Sequence, residues 1–323
     1  MKSIGVVIPW FGKLPATYTM WRKSVLYNST IDFYLYTDVR CESEGNLHVI
    51  NVTFEDFVKL LQKNFDFPIS CSRPYKLCDY KPCFGEALSQ LLSKYDFWGY
   101  CDMDMVFGDL RKFFTDNLLD KYDRMFITGH ISLYKNNERM NVLYRSTGSY
   151  PEYNIEEVYR TNEACYFDEF RGMELKCIRN RVRVMSFEHC DYNPTRSQFY
   201  KDGVQVIAVW DHGRLFTLDR DCNEKDMVYV HIAKRTLKNE IDDKTDEFVV
   251  LPGLICKMDK DNIVSYFNIS GGVLYKYRWW LNRIMKRLKS ESIRSIIKAQ
   301  KRKNDIAKYK HLLLEDEKNN STI

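Results

Sequence analysis

Short β-branched or aromatic runs alternate with helix-patterned segments through the first hundred residues, and this alternation limits the fold more than any other feature. Residues 4–8 (IGVVI) and 31–37 (IDFYLYT) read as strands, and 48–52 as a third. Residues 18–28 and 54–63 carry helical patterns, the second with Thr53 as a cap. Strand, helix, strand, strand, helix predicts an α/β layer with a mixed, mostly parallel sheet flanked by helices. Further along, 87–92 and 154–163 read as helices, and 97–100, 125–128, 182–187, 204–209 and 229–232 as strands. No linker interrupts the pattern before about residue 256, so one body is expected over 1–255 and a helical extension over 256–323.

Composition narrows the class. With 45% hydrophobic residues in 323, the chain can bury a large core. The ten cysteines show no zinc or redox spacing and fit reduced thiols. The first apolar run stops at Pro9, too short for an export signal, and no run approaches a membrane span. A cytoplasmic protein is expected.

The stretch YDFWGYCDMDMVFGD places Asp102 and Asp104 where an apolar strand ends. Alternate side chains of an extended segment share a face, so the two aspartates point one way and Met103 and Met105 point into the core. Two buried like charges repel, and a divalent cation removes the repulsion. Mg²⁺ and Mn²⁺ are held by one or two carboxylates, with substrate phosphates completing the shell. Asp-x-Asp alone is a weak signal; its position at the carboxyl end of a strand, where α/β sheets collect ligands, makes it a stronger one.

This DxD motif, behind an N-terminal α/β half, resembles the GT-A glycosyltransferases. The chain is more closely similar to a bacterial family of polysaccharide-biosynthesis glycosyltransferases of the capsule and O-antigen type. The matching pieces are IPWFGKLP, NSTIDFYLYTD, PYKLCDYKPCFG, YDFWGYCDMDMVFGDLRKF, GHISLYKN, FDE and VHIAKR. The resemblance implies a GT-A-like, Rossmann-like fold. It implies a sugar carried from a nucleotide donor, UDP-linked in expectation, to a hydroxyl of a lipid-linked or growing surface polysaccharide. It also implies residue roles. Asp102, Asp104 and a late histidine, His231, would hold Mn²⁺ or Mg²⁺. Trp10, Phe11 and Asp38, at the ends of the first strands, would meet base and ribose. Lys76, Asp79 and Lys81 would hold the donor's sugar and phosphates, and Lys234 and Arg235 the diphosphate. His130 would contact donor sugar or acceptor, and Asp168 or Glu169 would serve as base or polar partner in catalysis.

The net charge of +5 conceals an asymmetry. Residues 273–311 hold thirteen Lys/Arg against Glu291 and Asp305. Their apolar residues fall on one helical stripe, and Trp279 and Trp280 suit a bilayer interface. A basic amphipathic helix lying on an anionic membrane, on the inner face of the cell membrane, is expected; no nucleic-acid module accompanies the charge. Two rivals stay open. A nucleotidyltransferase would share the acidic pair but release pyrophosphate. A non-catalytic membrane or nucleic-acid binder would use the basic helix and not need the pair.

Overall fold

The computed structural model describes residues 1–147, 154–169, 172–192, 198–232, 237–269 and 281. The extension over 273–311 therefore lies outside the described residues, apart from the exposed Leu281. Strands β1 (Ile4–Pro9), β2 (Asp32–Thr37), β3 (Leu47–Asn51) and β4 (Phe97–Cys101) run parallel in the order β3-β2-β1-β4. After β5 (Met105–Phe107) come β6 (Arg124–Met125), β7 (Ile131–Lys135) and β8 (Val184–Met185). These three extend the first sheet beside β4 in the order β7-β6-β8. β7 runs antiparallel to both β4 and β6. The expected α/β layer is present, and most of its strand pairs are parallel.

Both faces of this sheet are covered, as a parallel sheet requires. On one face, Val7, Tyr34, Tyr36, Trp98, Tyr100 and Tyr134 pack with Phe57 and Leu61 of helix α2 (Phe54–Gln62). On the other, Ile4, Val6, Ile8, Phe33, Leu35 and Phe97 pack with Trp21 and Val25 of helix α1 (Tyr18–Tyr27). The strict alternation along each strand is the pleat read out as two cores. Thr53 caps α2 as expected, accepting from the Asp56 amide.

Several local readings change. Ahead of the helix expected at 87–92 stands a ten-residue 3₁₀-helix, Pro74–Cys83, and the helix itself starts earlier and breaks at Leu88 into Phe84–Ala87 and Ser89–Leu92. The strand expected at 125–128 stops at Met125, because Phe126 adopts φ 62°, and resumes as β7. The strand at 182–187 shrinks to two residues and the helix at 154–163 to Ile155–Tyr159.

The larger difference is a second sheet. After β9 (Cys190–Asp191) come β10 (Tyr200–Lys201), β11 (Val204–Asp211), β12 (Arg214–Asp219), β13 (Glu224–Asp226) and β14 (Tyr229–His231). The remaining strands are β15 (Lys238–Asn239), β16 (Glu247–Leu251) and β17 (Leu254–Lys257). The order β13-β12-β11-β16-β17-β15, with β10 on β11, is antiparallel except at β15–β17. One face carries Ala208, Trp210, Phe248 and Val250 against Val106 and Val230; the other carries Val209, Phe216 and Val249 under Tyr266 and Phe267. The expected boundary at 255/256 falls inside β17. A small third sheet, β5-β14-β9, joins the chain after β4 to this later half.

Candidate active site

Asp102 and Asp104 lie in the turn between β4 and β5, and three bonds to backbone atoms fix that turn. The Asp102 amide donates to the His130 carbonyl (2.8 Å), the Thr17 hydroxyl donates to the Met103 carbonyl (3.0 Å), and the Ile232 amide donates to the Asp104 carbonyl (2.8 Å). Met103 and Met105 are fully buried. The carboxylates are half-buried and share one side of the turn.

β14 pairs antiparallel with β5 and parallel with β9, so His231 stands opposite Met105 on one side and Asp191 on the other. Its Nε2 lies 3.5 Å from Oδ1 of Asp104, and its Nδ1 lies 2.9 Å from Oδ1 of Asp191. Burial opposes a charge on this ring, but the hydrogen bonds and charges of Asp104 and Asp191 outweigh it and lift its pKa to about 10. The His130 ring stacks on it at 3.6 Å. Burial and the neighbouring His231 charge push His130 down to about 3. Nδ1 of His130 is 3.4 Å from the Tyr229 hydroxyl.

Lys81 joins this doublet to a third acid. Its buried ammonium lies 2.6 Å from Oδ1 of Asp102 and 3.3 Å from Oδ2 of Asp168, and it donates to the Gly129 carbonyl (2.8 Å). Burial raises Asp168 most; the charges of Glu169 and Asp102 add to it, and Lys81 opposes them, leaving its pKa at about 7. Asp102 is also held above the usual carboxylate range, by burial and by Asp104 against Lys81. Glu169 is half-buried beside Gly129, where a Cβ would meet Asp168 and Glu169 oxygens.

The donor chemistry fits a divalent cation. One ligand atom each from Asp102, Asp104 and His231 lie within 4.8 Å of one another. Among the described residues, four carboxylates (Asp102, Asp104, Asp168 and Asp191) are served by Lys81 and His231 alone. Asp191 orienting the imidazole from behind is the arrangement by which outer carboxylates fix metal-ligating histidines.

The other expected residues are placed differently from one another. Trp10 bonds the Lys13 carbonyl through its indole, and Asp38 accepts the Gly12 amide (2.7 Å), so the ends of β1 and β2 are tied together. Phe11 is buried against Phe54 and Phe57 and serves the core. Lys76 and Asp79, expected on donor sugar and phosphates, are fully buried and bond each other at 2.7 Å. The remaining Lys76 donors go to the Val158 and Glu163 carbonyls, and Asp79 accepts the Cys165 and Phe167 amides. This pair builds a clasp between two segments, because these internal bonds take up the Lys76 ammonium and both Asp79 oxygens. Lys234 and Arg235 lie outside the described residues. Asp191 was not among the expected residues. Its strand is two residues long, and only the non-local register with β14 brings it to His231.

The fold and site together define an α/β protein with a carboxylate–imidazole cluster at the carboxyl end of a mostly parallel sheet. The chain belongs to a family of unknown function (DUF6625), whose family model matches residues 6–259. No curated protein matches it. Among solved structures it is similar to a glycosyltransferase involved in the glycosylation of the major capsid of PBCV-1. That match has 10% identity, covers 72% of this chain and 93% of that one, and has a TM-score of 0.33. It is also similar to the galactosyltransferase LgtC in complex with donor and acceptor sugar analogs, with 13% identity, 72% and 88% coverage and a TM-score of 0.38. No helix among the described residues is long and apolar enough to cross a membrane.

Proposed function

We propose that this protein is a metal-dependent glycosyltransferase of GT-A type. It moves a sugar from a nucleotide donor, UDP-linked in our reading, to a hydroxyl of a lipid-linked or growing surface polysaccharide. The observation that carries the reading is the Asp102–Asp104–His231 set, backed by Asp191, at the carboxyl end of β4. Two carboxylates and an imidazole suit Mn²⁺ better than Mg²⁺, which prefers oxygen alone. Such a cation, when bound, stabilises the charge of a departing nucleoside diphosphate. The ends of β1 and β2, with Trp10 and Asp38, are where base and ribose would lie. Asp168, with a pKa near neutrality, is suited to exchanging a proton with an acceptor hydroxyl, which Glu169 and Lys81 would help to orient. His130 would contact sugar, and Lys234 and Arg235 would meet the diphosphate. The basic stretch 273–311 would hold the enzyme on the inner, anionic face of the cell membrane, near a lipid-linked acceptor.

A nucleotidyltransferase would use the same acidic set and release pyrophosphate; a binder centred on the basic stretch would not respond to mutation of that set. The test is a thermal-shift screen of nucleoside diphosphates and sugar nucleotides with and without Mn²⁺. A shift that needs both nucleotide and Mn²⁺, followed by release of nucleoside diphosphate on turnover, is expected. No nucleotide-dependent shift, or release of pyrophosphate, sinks the reading.

A further inference from the structure

The 3₁₀-helix Pro74–Cys83 organises two stripes. With three residues per turn, side chains at i and i+3 eclipse one another. Lys76 and Asp79 form one stripe, and Tyr75, Cys78 and Lys81 form the other. The second stripe leads outward from the acid cluster. Lys81 is buried on Asp102 and Asp168, Cys78 is half-buried, and Tyr75 is 52% exposed.

The first stripe sets a second tyrosine beside it. Asp79 accepts the amides of Cys165 and Phe167, one through each carboxylate oxygen, at 2.8 Å. These bonds bracket Tyr166 and hold its backbone at φ 57°, a conformation most side chains avoid. The result is a ring 40% exposed, two residues before Asp168. Burial raises the pKa of the Tyr75 phenol most, and the nearby Tyr166 phenol adds to it, so the two side chains are neighbours. A buried ion pair is an expensive way to stabilise a fold, since replacing it with apolar groups is often neutral. Here it fixes the position of an exposed aromatic pair that adds nothing to the core.

We infer that Tyr75 and Tyr166 form a platform for the pyranose ring of the acceptor at the mouth of the site, with its hydroxyl side toward Asp168. This rests on the glycosyltransferase reading above. An aromatic ring offers the apolar C–H face of a pyranose a flat contact, and a phenol offers hydrogen bonds to its hydroxyls. The Tyr75 stripe ends at Lys81, which bonds both Asp102 and Asp168, and Tyr166 stands two residues before Asp168, so both rings lead to that carboxylate.

The experiment uses the full chain with UDP and Mn²⁺ and a panel of methyl glycopyranosides as probes. Saturation-transfer NMR reads the sugar contact, and calorimetry reads UDP binding. Saturation of sugar C–H protons is expected in the wild type. It should weaken about tenfold in Tyr75→Ala and Tyr166→Ala and persist in Tyr166→Phe. UDP affinity and the melting temperature should stay unchanged, because both rings are surface groups. Unaltered sugar contact in the Tyr75→Ala/Tyr166→Ala double variant, or no contact in the wild type, overturns the platform; UDP binding in that same sample shows that the donor reading survives. A loss of UDP affinity in the alanine variants with sugar contact intact also overturns it, assigning the rings to the nucleotide base. Absence of UDP binding in every protein removes the donor reading and the platform with it.

Discussion

Nδ1 of His231 lies 2.9 Å from a carboxylate oxygen of Asp191, while its Nε2 faces Asp104 at 3.5 Å. The imidazole is thus held from behind and aimed at the acidic doublet. Asp191→Asn keeps the size of the orienting group and weakens its pull. The expected result is a loss of Mn²⁺ affinity of roughly 10–100-fold, the usual cost of removing an outer-shell carboxylate. Asp104→Ala should abolish binding altogether in a protein that remains folded. Titration of free Mn²⁺ by electron paramagnetic resonance checks both. Wild-type affinity in Asp104→Ala would refute the ligand assignment.

Lys81 is the shared counter-ion of Asp102 and Asp168. Lys81→Met would leave Asp168 buried without its counter-ion and Asp102 and Asp104 sharing the His231 charge. Breaking a buried pair from one side costs about 3–5 kcal/mol, and part of that should be recovered by adding Asp168→Asn. Urea unfolding measures both steps. If the double variant is no more stable than Lys81→Met alone, the carboxylate of Asp168 is not what Lys81 compensates.

The pH dependence follows from Asp168. Burial, with the charges of Glu169 and Asp102, raises its pKa to about 7, so the folded protein keeps a proton that the unfolded chain releases near the ordinary carboxylate value. Between those two values the native Asp168 binds more protons than the unfolded one, and the stability this group contributes falls as pH rises from about 4 to about 7. At about 1.4 kcal/mol per unit the contribution reaches a few kcal/mol. Asp168→Asn removes this titration, so its unfolding free energy should gain on the wild type's as pH rises across that window. Parallel curves for the two proteins would contradict the assignment.

The sequence was most informative where interactions are local. The four parallel strands and both early helices follow from periodicity, and the doublet's orientation follows from the pleat, with Met103 and Met105 buried opposite the aspartates. Of the second sheet only the strand at 204–209 was read, although its turns carry a signal. His212-Gly213 joins β11 to β12 with φ 46° and 89°, the tight hairpin turn that glycine favours, and Pro252-Gly253 joins β16 to β17. The partners of the site were not legible. Asp191 reaches His231 through a two-residue strand, and Lys81 reaches Asp168 across the fold, so no spacing announces either. Lys76 and Asp79 look like loop charges until the 3₁₀ period stacks them in the interior.

Gly129 packs directly against the Asp168 and Glu169 carboxylates. A Cβ there would stand 2.6 Å from Oδ2 of Asp168 and 2.8 Å from Oε1 of Glu169. Asp168 is buried and held by Lys81, which also takes the Gly129 carbonyl, so that carboxylate has little room to withdraw. Glu169 is only half-buried. Gly129→Ala should therefore cost about 1–3 kcal/mol, the range for an overpacked interior, and displace the Asp168 carboxyl. Because Asp102, Asp104 and His231 are untouched, Mn²⁺ affinity should hold while sugar transfer falls. Urea unfolding, manganese titration and a transfer assay on the same variant separate these effects. A variant as stable and as active as the wild type would show that the Asp168 carboxyl does not need the space this glycine leaves.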